Sequence, residues 1–397
     1  MIFLIYTSLL IFLIFLIIYL FYLKGFKNNL FMESFTASVV PNSVQLEEAN
    51  GGMPISVSII ICARNEEKNI KNLLDSLLHQ DCHKENLEII VANDQSEDDT
   101  QKILDEYTSK YSFIKSFHVQ NRDKAHSPKK NALKQAIDKA SGDIILLTDA
   151  DCVPTEKWVL SHLLMYQKYP ETDMVVGLSK TNIKNNNSQS EIGTTKLCQI
   201  FENIDFLILM FAAQGAIQSG HPFSCSGQNL SYRKKSFYDV SGFAGLESYI
   251  SGDDLLLLQK FVKQGKTIKF AAFKDAFTET IPTNSWKELL NQRARWASNL
   301  KAMLKMNIRF FIYLLSCFIC IGLMPFIAIF LYVIKALNDY SFIKLALNKW
   351  EFYEILHPNT EFNISPLLIW FVISPFYMMI VTILGIFSIF KWKDRRG

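Results

Sequence analysis

Two pairs of carboxylates in this sequence have a spacing and context that suit chemistry. Asp149 and Asp151 form an Asp-x-Asp motif directly after the apolar stretch DIILLT, and Asp253 and Asp254 are adjacent. Carboxylate oxygens suit Mg²⁺ or Mn²⁺, which then bridges to phosphate oxygens of a substrate. A carboxylate near such a metal can also act as a general base. Both pairs have a structural alternative, because aspartates are common in turns and at helix starts.

Further polar residues stand at the ends of other apolar stretches. Asn65 and Glu66 follow the first of these stretches, and Asp94 opens the segment Asp-x-Ser-x-Asp-x-Thr after the second. This segment predicts either a ligand-binding turn or simply a helix start capped by Ser96 or Asp98. The two interpretations are compatible.

Lysine and arginine residues supply the opposite charge. Lys129 and Lys130 follow Pro128 at a predicted helix start. A cation at this end of a helix opposes the helix dipole, so the helix itself gives no reason for lysine here. Either these are ordinary exposed lysines, or they pair with a phosphate or an acid. Gln292, Arg295 and Trp296 share one face of a predicted helix. That face could bind a diphosphate and stack on a sugar, or it could be a basic helix at a membrane surface.

The elements around these residues predict an α/β fold with a parallel sheet. The predicted strands are Ile55–Cys62, Leu87–Ala92, Phe113–Val119 and Asp143–Thr148, and the predicted helices include Glu66–Leu78 and Ala132–Ala140. Ligands of parallel sheets bind at the carboxyl ends of the strands. Asn65, Asp94 and Asp149 each follow a strand, so we expect them to face one crevice. A later apolar stretch, Ile204–Ala213, is expected to be too short to span a bilayer and to form a buried or interfacial helix.

Three uncharged runs predict membrane helices. They cover residues 1–23, 310–334 and 364–390, and each exceeds the roughly 20 apolar residues that a bilayer requires. Basic flanks favour a large middle domain in the cytoplasm, at residues 54–300, of an integral membrane protein of the inner or cell membrane. Residues 24–53 are predicted to be a linker, 335–363 an extracytoplasmic loop, and 391–397 a basic cytosolic tail.

Composition excludes several other classes. The net charge of +3 gives no argument for nucleic-acid binding. The seven cysteines show neither a zinc-binding spacing nor a disulfide framework, so reduced thiols facing the cytosol are expected.

Taken together, the motifs resemble those of membrane-bound family 2 glycosyltransferases, which have a GT-A (Rossmann-like) nucleotide-sugar-binding domain. The layout is similar to that of ceramide glucosyltransferases and bacterial polysaccharide or glycolipid synthases. The similar segments occur in the family's order: Ala63-Arg64-Asn65-Glu66-Glu67, Asp94-x-Ser-x-Asp-x-Thr, Lys129-x-x-Ala132-Leu133, Asp149-Ala150-Asp151, Gly227-Gln228-Asn229-Leu230-Ser231-Tyr232-Arg233, Asp253-Asp254-x-x-Leu257 and Gln292-x-x-Arg295-Trp296. One departure is Asp253, where the family usually has Glu.

The resemblance implies a role for each matching residue. Asp254 would be the catalytic base, and Asp151 with Asp149 would hold Mg²⁺ or Mn²⁺. The nucleotide-sugar donor would be bound by Asn65, Glu66, Asp94, Lys129, Asp149, Gln292, Arg295 and Trp296. The acceptor side would be formed by Asp253, Gly227 and Trp296.

The expected activity is inverting, metal-dependent transfer from a nucleoside diphosphate sugar, with a UDP-sugar favoured, to a lipid-linked or membrane-associated glycan acceptor. Membrane lipids and polysaccharide-export or synthase proteins are the expected partners. Two alternatives stay open: a processive exopolysaccharide synthase subunit, and a non-catalytic nucleotide-sugar-binding scaffold of a synthase complex. A nucleotidyltransferase is disfavoured because the chain lacks a Gly-rich phosphate loop.

Overall fold

The computed structural model describes residues 55–120, 127–182, 194–273, 277–312, 365–392 and 395–396. The chain divides into two compact units. The sheet unit lies within Met32–Asn182 and Ser224–Ile281, and the helical unit takes its described residues from Ile183–Phe223 and Pro282–Gly397. The predicted N-terminal membrane run, the linker, most of the second run and the predicted outer loop lie outside the described residues.

The sheet unit contains nine described strands in one mixed sheet. They are Val57–Ala63 (β1), Leu87–Asn93 (β2), Ile114–His118 (β3), Ile144–Asp149 (β4), Cys152–Pro154 (β5), Met174–Thr181 (β6), Leu230–Arg233 (β7), Ile268–Ala271 (β8) and Phe277–Thr280 (β9). Their order is β3-β2-β1-β4-β7-β6-β9-β5, with β8 beside β6. The four predicted strands are β1 to β4, which are parallel to one another. The prediction of a parallel α/β sheet is therefore confirmed for this half.

The register of the parallel strands brings their carboxyl ends together. Cys62 of β1 lies opposite Asp149 of β4, and Ala63 lies opposite Asn93 of β2. Because side chains of β1 such as Ile59 and Ile61 are fully buried, the strands are fixed in the core by apolar packing. The residues that follow these strands therefore lie along one edge of the sheet.

Ten helices are labelled along the described chain. They are Ile70–Leu78 (α1), Thr100–Lys110 (α2), Pro128–Lys139 (α3), Trp158–Lys168 (α4), Thr194–Gln218 (α5), Lys234–Asp239 (α6), Leu255–Lys263 (α7), Trp286–Ala297 (α8), Leu300–Met306 (α9) and Ser365–Ile386 (α10). In α1 the side chains of Ile70, Leu73, Leu74 and Leu77 are fully buried. Each such burial stabilises the fold by about 1.5–3 kcal/mol. Helix α3 begins at Pro128, the helix start expected from Lys129 and Lys130, and four residues before the segment Ala132–Ala140 that was predicted to be helical.

The helical unit is built from α5, α8, α9 and α10, and it also contains two short antiparallel strands, Lys391–Trp392 (β10) and Arg395–Arg396 (β11). Helix α8 begins after Ser285, whose hydroxyl accepts a hydrogen bond from the backbone N–H of Glu288. Helices α8 and α10 approach closely, since a Cβ added at Gly385 would lie 2.6 Å from the Cβ of Ala297. Apolar side chains of α5, α8 and α10 form one buried cluster.

Of the two apolar stretches that the structure describes, one is longer than predicted and the other forms a helix as predicted. Helix α5 has 25 residues, so the prediction that this segment is too short to span a bilayer is wrong. Its stretch Thr195–Gln218 is long and apolar enough to cross a membrane, but 72% of the most apolar part is buried within the protein, as a core helix would be. The run predicted at residues 364–390 does form a helix, the 22-residue α10. Its insertion in a membrane stays a prediction.

Candidate active site

Lys129 joins the two carboxylate pairs that the sequence singled out. Its Nζ lies 2.9 Å from Asp149 Oδ1 and 3.0 Å from Asp253 Oδ2. Burial alone would lower the pKa of Lys129, but the charges of Asp149 and Asp253 outweigh it and raise the pKa. The cation at the start of α3 therefore pairs with acids, one of the two partners predicted for it. Residues from the end of β4 and from the start of α7 thus share one crevice.

Asp254 is the N-cap of α7, and backbone groups hold both of its oxygens. Its Oδ1 accepts a hydrogen bond from Leu255 N (2.6 Å) and its Oδ2 accepts one from Gly227 N (2.8 Å). Burial, and then the neighbouring charge of Asp253, raise the pKa of Asp254. The pKa of Asp253 is lowered, because Lys129 and Lys130 outweigh the effect of its burial. The different environments of Asp253 and Asp254 therefore shift the pKa values of the two carboxylates apart. Asp254, with the higher pKa, is the better proton acceptor near neutral pH.

Asp151 follows β4 at the same edge of the sheet. Burial, together with the charges of Asp149 and Glu66, raises the pKa of Asp151 to about 6. A carboxylate with too little positive charge around it suits a site that gains a cation. Within the described ranges, no group of three or more His, Cys, Asp or Glu side chains could hold a metal. Two carboxylates are nevertheless enough for Mg²⁺ or Mn²⁺ that shares its coordination with substrate phosphates and water, so Asp149 and Asp151 fit such an ion.

The turn after β1 interlocks with the segment after β2. Asn65 adopts a left-handed backbone conformation (φ 53°), its N–H donates to Ser96 Oγ (3.0 Å), and its Oδ1 accepts from Glu97 N (2.8 Å). The N–H of Glu66 donates to Thr100 Oγ1 (2.8 Å). The Ser and Thr of the Asp-x-Ser-x-Asp-x-Thr segment therefore fix the neighbouring turn.

The side chain of Asp98, one of the two residues predicted to cap the following helix, accepts a hydrogen bond from Thr100 N (3.1 Å) at the first residue of α2. The residue immediately before the helix is Asp99, which makes no side-chain capping bond. Ser96, the other predicted cap, instead accepts a hydrogen bond from Asn65 N in the neighbouring turn, so it does not cap α2.

Asp94 is buried at the end of β2. Its backbone N–H donates to Ala63 O (2.8 Å), and Arg64 Nη1 donates to the backbone oxygen of Asp94 (3.2 Å). The carboxylate of Asp94 also lies 4.0 Å from Arg64 Nη1. Arg64, which belongs to the turn motif but was given no role from sequence, therefore orients this residue.

Lys130 holds the loop that precedes the acidic pair. Its ammonium group donates to the backbone oxygens of Tyr249 and Ser251, the latter at 2.8 Å. Ser127 Oγ adds a hydrogen bond to Ile250 O (3.1 Å). Burial lowers the pKa of Lys130 to about 8. Lys130 therefore positions the residues that lead to Asp253 rather than binding an acid or a phosphate.

The stretch Gly227–Arg233, implied to be on the acceptor side, has two functions. Gly227 donates its N–H to Asp254, so it belongs to the site. Asn229 is fully buried, and its Oδ1 accepts from Trp158 Nε1 (2.9 Å) and lies 2.7 Å from His162 Nε2. A Cβ at Gly177 would lie 2.1 Å from Asn229 Oδ1, so this packing requires glycine there. Asn229 therefore belongs to the core of the sheet unit.

Cys62 is a site residue that sequence reasoning did not identify. It is half-buried at the end of β1, opposite Asp149. Its thiol pKa is raised, first by burial, while Lys129 opposes the shift and the nearby carboxylates of Asp253, Asp149 and Asp94 add to it. A raised pKa favours the protonated thiol, which is a poor nucleophile, so we assign Cys62 no catalytic role. A signal was present in the sequence, because Cys62 comes directly before the turn motif.

Gln292, Arg295 and Trp296 lie on α8 of the helical unit. Gln292 and Trp296 are half-buried there. Arg293, which the sequence motif leaves unspecified, is buried and contacts both of them.

Comparison with known proteins identifies the type of domain. Residues 58–241 match the sequence model of Glycosyl transferase family 2. The chain is 30% identical over 257 residues to the probable glycosyltransferase YdaM of Bacillus subtilis, across 64% of this chain and 58% of that protein. It is 24% identical over 241 residues to poly-beta-1,6-N-acetyl-D-glucosamine synthase of Staphylococcus aureus, across 61% of this chain and 53% of that protein. The chain thus spans little more than half the length of these two relatives.

A solved structure shares the fold over nearly the whole chain. The mannosyltransferase PcManGT from Pyrobaculum calidifontis, solved with GDP-Man and Mn²⁺, superposes with a TM-score of 0.56 across 94% of this chain and 97% of that one, at 14% identity. This likeness supports the predicted GT-A-like α/β fold.

Proposed function

The chain contains a glycosyl transferase family 2 domain, and from this premise we propose that it transfers a sugar from a nucleoside diphosphate sugar to an acceptor hydroxyl with inversion. The observation that carries the proposal is the Lys129 bridge. One ammonium group lies within 3.0 Å of both Asp149 and Asp253. The proposed metal-binding motif and the proposed base therefore belong to the same crevice.

Asp254 is the proposed general base. Its pKa is raised by burial and by Asp253, and two backbone N–H groups fix its orientation. The acceptor hydroxyl oxygen would form a bond to the anomeric carbon while the bond from that carbon to the phosphate oxygen breaks. The electron pair leaves with the nucleoside diphosphate, and the hydroxyl proton moves to Asp254. Base catalysis of this kind contributes about 10²–10⁴-fold to a rate.

The leaving group requires positive charge. Asp149 and Asp151 are the residues that would hold Mg²⁺ or Mn²⁺, and the bound ion would stabilise the charge that develops on the diphosphate. Lys129 keeps Asp149 oriented, and Asp151 is left with a raised pKa that a cation would lower. Asp94, which Arg64 orients, is proposed to bind the donor, and so are Asn65 and Glu66 of the interlocked turn. Gln292, Arg295 and Trp296 on α8 keep the donor-binding role that the family resemblance implies for them.

The names of the relatives suggest which donors to test first. The Staphylococcus aureus synthase makes a polymer of N-acetyl-D-glucosamine by its name, and PcManGT was solved with GDP-Man. We favour a UDP-sugar as donor, with UDP-N-acetylglucosamine as the first to test and GDP-mannose as the comparison.

A membrane location is proposed from the apolar helices. Helix α10 exposes large apolar side chains on one side, namely those of Phe376, Ile380, Ile383 and Ile386. A contiguous exposed apolar surface of this kind is typical of lipid or partner contact. The exposed Lys301, Lys305 and Arg309 precede the second uncharged run. Basic flanks favour the cytoplasmic side of a membrane, so we propose that the catalytic domain faces the cytoplasm. Because this domain would then lie at the membrane surface, we favour a lipid-linked acceptor.

The test measures nucleoside diphosphate release by the full chain in nanodiscs, with Mn²⁺ or Mg²⁺, for a panel of nucleotide sugars with and without a lipid extract. We expect release with one donor, stimulation by lipid, and loss of both in Asp254→Asn. The matched control is Asp239→Asn, because Asp239 is an exposed carboxylate paired with Lys266 outside the site. Release that Asp254→Asn retains in full would exclude Asp254 as the base.

A processive polysaccharide synthase is a second candidate, favoured by the likeness to the Staphylococcus aureus synthase. The length of the product separates the two. A single added sugar on a lipid, seen by mass spectrometry, supports single transfer, whereas a ladder of products supports a synthase.

A further inference from the structure

Arg293 contacts two of the proposed donor-binding residues on α8. Its Nη1 donates a hydrogen bond to Gln292 Oε1 (2.9 Å), and its guanidinium carbon lies 4.1 Å from the centre of the Trp296 ring. Its Nε donates to Asp205 Oδ2 (2.9 Å) on α5. Arg293 is only 4% exposed, whereas Gln292 and Trp296 are half-buried. Arg293 therefore lies behind two residues that keep part of their surface exposed.

The chemistry of arginine determines how the Gln292 amide is oriented. A guanidinium group has hydrogen-bond donors only, so the amide atom that faces it must be the oxygen. The amide nitrogen of Gln292 is then left to present two N–H donors elsewhere. Donors of this kind suit phosphate oxygens or sugar hydroxyls. The guanidinium group also lies over the Trp296 ring, which restricts the rotation of that side chain.

Asp205 anchors the arrangement to two other helices. It is buried on α5, and its Oδ2 also lies 3.4 Å from the hydroxyl of Tyr377 on α10. A buried ion pair contributes little net stability, because removing both charges from water costs about as much as their attraction returns. Its better attested effect is to specify one arrangement of the groups around it. The Asp205–Arg293 pair thus favours a single orientation of Gln292 and Trp296.

We propose that Arg293 is a positioning residue for donor binding: it orients the Gln292 amide as a hydrogen-bond donor and fixes the Trp296 ring. The inference rests on the proposed glycosyltransferase function. The competing explanation is that Arg293 only neutralises Asp205 and so supports folding.

The two explanations predict different results for a double variant that removes both charges of the pair. In Arg293→Met/Asp205→Asn both charges of the pair are removed, and the other buried carboxylate that acts on Arg293, Glu202, keeps its hydrogen bonds from Thr283 N (2.7 Å) and Thr283 Oγ1 (2.8 Å). We therefore expect the thermal unfolding temperature to stay close to that of the wild type. We expect sugar transfer to fall at least about tenfold, with a raised KM for the donor. The control is Lys269→Met/Glu171→Gln, which removes both members of an ion pair outside the site and should leave transfer unchanged. Full transfer by the Arg293 variant would overturn the proposal.

A double-mutant cycle adds a second test. If Arg293 acts through Gln292, the change Arg293→Met/Asp205→Asn should lower transfer less than about threefold in a Gln292→Ala background. Effects that multiply independently would contradict the proposal.

A third measurement does not depend on activity. The fluorescence of Trp296 is obtained by subtracting the spectrum of Trp296→Phe from that of the wild type. We expect this difference spectrum to shift in the Arg293→Met/Asp205→Asn background. An unchanged difference spectrum would contradict the proposal, even if no donor is found. Absence of transfer by the wild type, together with a shifted spectrum, would instead contradict the proposed function.

Discussion

Glu88 near the amino ends of the parallel strands and Asp151 and Asp254 near their carboxyl ends have pKa values that are shifted in opposite directions. Near the amino end of β2, Glu88 accepts hydrogen bonds from Ser58 Oγ and Ser141 Oγ, and it pairs with Lys115 at 2.9 Å. Burial alone would raise the pKa of Glu88, but these hydrogen bonds outweigh it and lower the pKa to about 2. At the carboxyl ends, burial and like charges raise the pKa of Asp151 to about 6 and also raise that of Asp254.

This difference distinguishes a carboxylate that stabilises the sheet from carboxylates that are placed for function at the other end of the same strands. Glu88 is a fully satisfied buried acid, and such groups stabilise a fold. Asp151 and Asp254 are held where their own charge is unfavourable, and protein structures concentrate such groups at functional sites. The crevice is therefore suited to receive a cation near Asp151 and a proton on Asp254. The amino end of the sheet keeps the strands in place.

The largest expected effect is the loss of activity in Asp254→Asn. Removing the proposed base should lower kcat by about 10²–10⁴-fold. The unfolding temperature should change little, because relief of the repulsion from Asp253 offsets the loss of one of the two backbone hydrogen bonds that the Asp254 carboxylate accepts. Nucleoside diphosphate release and thermal unfolding, measured on the same sample, check both halves. A large fall in the unfolding temperature would show that Asp254 is a structural residue like Glu88.

Lys129→Met should affect both properties. It leaves Asp149 and Asp253 without their shared cation, and breaking such a buried pair destabilises a protein by up to about 5 kcal/mol. The Lys129 side chain is 22% exposed, so we expect a loss of about 2 kcal/mol. Transfer should fall by about 10–100-fold because the two carboxylate pairs lose their common anchor.

The control for this change is Lys266→Met. Lys266 also bridges two aspartates, Asp239 at 2.7 Å and Asp173 at 3.5 Å, at the amino ends of β6 and β8. It should leave transfer intact. Equal losses of transfer in the two variants would mean that Lys129 has no special relation to the site.

Glu88→Gln should destabilise the protein without changing catalysis. The neutral amide loses the charge-assisted hydrogen bonds, which are worth about 1.5–3 kcal/mol each, although the new side chain can keep part of the network. We expect a loss of about 2 kcal/mol in the free energy of unfolding. The kcat per folded molecule should match the wild type, and a lowered kcat would show that the two ends of the sheet are coupled.

The sequence predicted the parallel half of the sheet and the edge at which its polar residues meet. Runs such as ISVSIIIC predict buried strands, and the carboxyl-end rule then places Asn65, Asp94 and Asp149 together. The strands β5 to β9 were not predicted. Four of them, β5, β7, β8 and β9, have only three or four residues and show no usable periodicity, whereas the eight-residue β6 was long enough to be found and was missed. Their pairing depends on contacts between segments that are far apart in the chain.

Side-chain partners were less predictable than strands. The sequence left Lys129 between a phosphate and an acid, since Asp149 and Asp253 become its neighbours only in the folded sheet unit. Asn229 belongs to a motif but is a buried core residue that accepts a hydrogen bond from Trp158. Motif spacing therefore identified which residues matter, but it did not separate residues that hold the site from residues that face it.

The smallest expected effect is a difference in how stability depends on pH, measured in chelator. The folded-state pKa of Glu88, about 2, lies below the roughly 4.3 of an unfolded chain. The contribution of Glu88 to the free energy of unfolding is therefore fully present above about pH 4.3 and is lost as the pH falls toward 2.

The contribution of Asp151 to the free energy of unfolding changes with pH in the opposite direction. Its folded pKa of about 6 lies above the unfolded value of roughly 3.9, so the folded protein loses stability as the pH rises through that interval. Asp151→Asn should therefore raise the free energy of unfolding at pH 7 by on the order of 1 kcal/mol, after allowance for partial exposure, and leave it unchanged at pH 4. Added Mn²⁺ should remove this advantage, because the ion neutralises Asp151 only in the wild type. An advantage that persists at pH 4 would show that Asp151 does not carry unneutralised charge at this end of the sheet.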